Sequence, residues 1–152
     1  LVGAQLAFAI QNNDMFAYER DLESMSRRYK DYVMLYLLSV IVRRFEQDKT
    51  PQTAQEMAIQ NRLPIRLVQQ LLSRLEETNI IRRVYVEQEE DETFVPALDT
   101  RKITVDMVVG RISAQGTEEF LQHTPPQMHA FWKRYLQMCE ANTSDNILVS
   151  DL

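Results

Sequence analysis

The chain has 152 residues, enough for one domain with a real core, and its 45% hydrophobic and 26% charged residues are those of a folded globular protein. Three glycines and five prolines disfavour a turn-rich all-β fold, and a single cysteine, Cys139, excludes an internal disulfide framework or a thiolate metal cluster. A formal net charge of -5 argues against overall charge alone holding a nucleic acid.

Residues 1–10, LVGAQLAFAI, are uncharged and mostly apolar, with no basic stretch ahead of them to make a secretory signal. A short polar helix is expected over 14–24 and a longer one over 26–46. In the longer helix Tyr29, Tyr32, Val33, Tyr36, Leu37 and Val40 recur at helical spacing, and Leu35, Leu38 and Val42 make the other side apolar too. A helix apolar on most faces is expected to be buried. Its core, YVMLYLLSVIV, is shorter than the ~20 residues of a membrane span.

Thr53 and Glu56 have the spacing of a capping box, which predicts a short helix over 54–61 with Ala54, Met57 and Ala58 turned inward. Pro64 suits the first turn of the next helix. There Val68, Leu71, Leu72 and Leu75 share one face, while Arg66, Gln69, Gln70 and Ser73 share the other with Arg74 at its flank. Asn79 can close this helix in the left-handed conformation. IIRRVYVE (80–87) and TFVPAL (93–98) read as two strands around an acidic tip, with Pro96 implying an edge. A helix over 105–115 follows, packing Val105, Val108, Val109 and Ile112 and ending at Gly116. Thr124 and Pro125 open the last helix, whose Met128, Phe131, Trp132, Tyr135, Leu136 and Cys139 form a stripe that reads as core or as a docking face for a second copy. Residues 142–152 read as a mobile tail.

Helix, short helix, turn, helix and ribbon is the order of a winged helix-turn-helix. The expected fold is therefore mainly α: a three-helix bundle plus a two-stranded β-hairpin, with extra helices at both ends. The expected division is a membrane-proximal segment over 1–24, the winged helix over 25–115, and a helical extension and tail over 116–152.

Such a fold suggests a nucleic-acid face made of Arg62, Arg66, Gln69, Gln70 and Arg74, since arginine can fork onto guanine and glutamine onto adenine. Charge opposes this. Glu76 and Glu77 cancel Arg66 and Arg74 over 63–79, and Glu87, Glu89, Glu90, Asp91 and Glu92 load the hairpin tip with carboxylates that repel phosphates. Catalysis has less support. His123 and His129 do not have the spacing of a zinc helix, and no nucleophile with its base is present. Cys139, within an apolar stripe, reads as a buried thiol. No metal or cofactor is expected. The candidate interaction face is Tyr36, Phe131, Trp132 and Tyr135, consistent with a homodimer.

LVGAQLAFAIQN, YERD, RRYKDYVMLYLLSVIVRRF and LPIRLVQQLLSRLEETNII together resemble the C-terminal region of the YihY/virulence factor BrkB family of bacterial inner-membrane proteins, long labelled ribonuclease BN. The resemblance implies that residues 1–10 are the cytoplasmic end of a transmembrane helix. The rest would then be a non-catalytic interaction or regulatory domain on the cytoplasmic side, anchored in the membrane through a missing N-terminal part. A second similarity, over ETNIIRRVYVEQEEDETFVPALDTRKITVDMVVGRI, is to the wing and following helix of Rrf2-type transcription regulators. The iron–sulfur cysteines of many of those are absent here. The first resemblance gives the primary expectation. A DNA-binding regulator is the alternative, and a tRNA-processing ribonuclease, as the family label states, is the third.

Overall fold

In a computed structural model, the structure describes residues 22–87, 90–118, 124–141 and 147–152. The expected membrane-proximal run 1–10, most of the 14–24 helix, Glu89 and His123 lie outside the described residues.

Helix α1 (Arg27–Glu46) begins where Ser26 Oγ accepts the Tyr29 amide at 3.2 Å and supplies one partner that a helix start lacks. It buries Val33, Met34, Leu37, Leu38, Ile41 and Val42. Tyr29, Tyr32 and Tyr36 stand exposed, and Leu35 and Val40 are half-buried. This corrects the expectation of a helix buried on most faces. The partner helices cover one side of α1, so only the residues facing that side leave solvent. Tyr36 instead donates its hydroxyl to Asn61 Oδ1 at 2.9 Å.

Helix α2 (Ala54–Asn61) has the expected capping box: Thr53 Oγ1 accepts the Glu56 amide at 3.1 Å and Glu56 Oε2 accepts the Thr53 amide at 3.0 Å. Arg62 ends α2 in the left-handed conformation, φ 53°, and Leu63 N–H then reaches the Ala58 carbonyl at 2.9 Å. Helix α3 (Ile65–Glu77) follows, with Pro64 just outside it as N-cap rather than in its first turn. It buries Leu67, Val68, Leu71, Leu72 and Leu75, and each fully buried leucine contributes roughly 1.5–3 kcal/mol.

Asn79, φ 58°, turns the chain out of α3 into strand β1 (Ile81–Val84), which pairs antiparallel with β2 (Thr93–Pro96) in the register Ile81↔Pro96 to Val84↔Thr93. The ribbon's base is fixed to the bundle. Ile80, Ile81 and Phe94 are buried, and Phe94 N–H donates to the Gln52 carbonyl at 3.3 Å. A short 3-10 turn (Thr100–Lys102) leads to helix α4 (Val105–Ser113), where Val108 and Ile112 are buried and Val109 is left exposed. Helix α5 (Pro126–Ala141) contains no buried residue.

The end of the chain departs from the expected tail. Val149 is fully buried in the common core, its amide donates to the Ile103 carbonyl at 3.0 Å, and Val105 N–H donates to the Ile147 carbonyl at 2.9 Å. Arg43 adds hydrogen bonds to the carbonyls of Ser150 and Leu152. Of the apolar residues in this segment, ILVSDL, Val149 is the one buried against the core.

Candidate nucleic-acid interface

The α2–turn–α3 unit presents one surface built by helical periodicity. Burying Leu67, Leu71 and Leu75 turns Arg66, Gln69 and Gln70 outward, and all three are exposed. Arg62, exposed in the turn, precedes them at the start of α3, whereas Ser73 and Arg74 are half-buried. Pro64 supplies no side-chain cap to α3. Beside this face, a cleft of about 640 Å³ separates α3 from the hairpin, with Gln69 and Ser73 on one wall and Tyr85, Glu90, Asp91 and Glu92 on the other.

The acidic residues that weigh against DNA in a count along the sequence are distributed unevenly in space. Glu77 Oε2 accepts from Gln115 Nε2 at 2.5 Å, at the far end of α3 beside α4. Glu76 and Glu92 share Arg83: Nε donates to Glu76 Oε2 at 2.6 Å, and Nη1 donates to Glu92 Oε2. Glu92 Oε1 also accepts from the Tyr85 hydroxyl at 2.8 Å. The Tyr85 hydroxyl first, and Arg83 second, hold the Glu92 carboxyl below its ordinary range. Glu87, Glu90 and Asp91 remain exposed at the described part of the tip. The four-residue network Glu76–Arg83–Glu92–Tyr85 escapes a reading in which Glu92 is only a repulsive charge. Its signal is the hairpin register, which sets Arg83 opposite Phe94, two residues from Glu92.

The candidate interaction face is split. Tyr36 sits on α1 bonded to Asn61, while Phe131, Trp132 and Tyr135 lie on α5, where Phe131 is 74% exposed and the Trp132 and Tyr135 rings stack at 5.8 Å. Cys139 is exposed, correcting its reading as a buried thiol. Helical spacing identifies a shared face but not what covers it. His129 is exposed and lies 3.2 Å from Thr124 Oγ1, and among the described residues no group of His, Cys, Asp and Glu is placed to hold a metal.

This backbone is shared with solved regulators. IscR of T. potens matches with a TM-score of 0.54 over 86% of this chain and 87% of its own, at 16% identity. CymR of Staphylococcus aureus matches with a TM-score of 0.53 over 81% of this chain and 93% of its own, also at 16% identity. The fold is a winged helix, shared with these two structures. No family model matches the chain, and no curated protein matches it.

These matches overturn the YihY/BrkB resemblance, which no family model or curated protein supports. YVMLYLLSVIV supplies the buried face of α1, and among the described residues no helix is long and apolar enough to cross a membrane. The inner-membrane address, the membrane anchoring and the ribonuclease BN label fall with that resemblance. A third match, from Listeria innocua and described as a putative transcriptional regulator, has a TM-score of 0.53 over 81% of this chain and 82% of its own, at 16% identity.

Proposed function

We propose that this chain is a winged-helix transcription regulator that binds duplex DNA with α3 in the major groove, working as a pair of copies. The observation that carries the reading is the outward face of α3. Arg66, Gln69 and Gln70 project from a helix whose other side is locked into the core, on a fold shared with transcription regulators. Glutamine amides at such positions suit the paired donor and acceptor of adenine, and arginine suits guanine. Arg62 suits phosphates, contacts that fix register without reading sequence. Arg83, shared by Glu76 and Glu92, offsets one of their two charges.

Pairing of copies is supported by α5. A 16-residue helix with Met128, Phe131 and Tyr135 more than half exposed is an uncovered apolar surface of the kind that marks interfaces. Two copies would place two α3 helices on half-sites about one DNA turn, roughly 34–36 Å, apart.

The test is titration of a duplex selected from a random pool. Saturable binding is expected, weakening steeply between about 50 and 200 mM salt as counterions are released. Gln69→Ala should cost about 1–3 kcal/mol at one base position, whereas Arg62→Ala should weaken all sequences alike. Binding that never saturates, or that ignores salt, overturns the reading.

A further inference from the structure

Two arginines sit side by side on β1, and the structure treats them differently. Arg82 is exposed and makes no ion pair among the described residues. Arg83 is held on three sides, by Glu76 from the last turn of α3, by Glu92 from the segment entering β2, and by Phe94, whose ring centroid lies 5.9 Å from its guanidinium carbon. The side chains are only partly covered, Arg83 40% and its two carboxylate partners 34% and 35% exposed, so neither pair alone adds much stability. Their arrangement does something a single pair does not. One planar guanidinium forks between carboxylates on two different elements, and the second oxygen of Glu92 is taken by Tyr85.

We propose that Arg83 is a positioning residue for the DNA face: it clasps the hairpin to the end of α3, fixing the wing's angle, and offsets one of the two charges of Glu76 and Glu92. Arg82 is then the β1 cation left for phosphate. The inference rests on the nucleic-acid reading for its purpose, but the clasp itself has a readout that needs no DNA.

The experiment compares the wild-type chain with Arg83→Met, Arg83→Lys and Glu92→Gln, each checked by circular dichroism for an intact fold. Amide hydrogen exchange on the free chains is the first measurement. Exchange at Val84 and Thr93 should rise about tenfold in all three variants, as expected when a local opening loses a cross-element restraint. Lysine restores the charge without the fork and so should not rescue it. Glu92→Gln keeps the guanidinium over Phe94 and gives a second route if Arg83→Met repacks. Titration of a selected duplex is the second measurement. Arg83→Met and Arg83→Lys should lose about tenfold in affinity, and Glu76→Gln with Glu92→Gln in the Arg83→Met chain should recover part of that loss. A salt slope lowered by about one unit belongs to Arg82→Gln and not to Arg83→Met.

Wild-type exchange in Arg83→Met, together with saturable DNA binding by the wild-type chain, overturns the clasp alone. Wild-type affinity in Arg83→Lys also overturns it, since charge would then suffice. A lowered salt slope in Arg83→Met makes Arg83 a phosphate contact instead and likewise overturns it. No saturable duplex binding by the wild-type chain overturns the nucleic-acid reading, and the clasp's purpose with it.

Discussion

At Asp99 a single side chain does two jobs. One carboxylate oxygen accepts the Arg101 amide at 3.0 Å, capping the 3-10 turn between β2 and α4, and it also accepts Arg101 Nε at 3.1 Å, while the other takes Arg101 Nη2 at 2.8 Å. The Arg101 side chain first, and its backbone amide second, hold the carboxyl down to about 2. The folded value thus lies below the ordinary carboxylate range near 4, so the interaction is fully present above that range and is lost as pH falls through about 2. Carboxyl-resolved NMR titration should show Asp99 still ionised at pH 3; a midpoint near 4 would mean the turn is not closed this way. Aspartate two residues before arginine is visible in sequence. That the pair closes a turn is not, because solvent-exposed partners of this spacing are free to point apart.

At the scale of the element, local chemistry is the more legible part. The Thr53 to Glu56 capping box is a three-residue pattern whose partners are set by helix geometry itself, so it is readable before any tertiary contact forms. Thr53 is buried and lies across an isolated bridge from Thr93, so its hydroxyl cap sits where the helix-turn-helix meets the wing. Thr53→Ala should lower unfolding free energy by about 1 kcal/mol, measured by denaturant titration. A change indistinguishable from zero would mean that water replaces the hydroxyl at no cost. α3 was equally readable, because four apolar residues at helical spacing allow only one inward face. α1 was not. Its tyrosines fit the apolar period as well as its leucines do, and a period says nothing about how wide a partner surface is. The 147–152 segment escapes for a different reason: its apolar run, ILV, is too short to show a period, and its other anchors are backbone groups that every residue carries.

For the whole molecule, α5 is the element whose partner the described chain does not supply. Sedimentation equilibrium should give a concentration-dependent dimer. Phe131→Glu, which puts a charge at the most exposed ring of the stripe, should shift it to monomer and weaken binding to a two-half-site duplex more than to a single half-site. A monomer at every concentration would remove the pairing and leave the stripe unexplained. Whole-molecule charge does not decide what the α3 face meets. A net charge of -5 is a sum, whereas a polyanion meets only the face turned toward it.

Sequence by itself determined the winged helix-turn-helix order, the capping box, the left-handed closure at Asn79 and the polar face of α3, because each depends on neighbours within a turn or a hairpin. Only the tertiary structure decided which carboxylates are already engaged, that Val149 returns to the core, and that just one side of α1 is covered. Those outcomes depend on groups far apart in the chain, and residue order alone carries no measure of the distance between them.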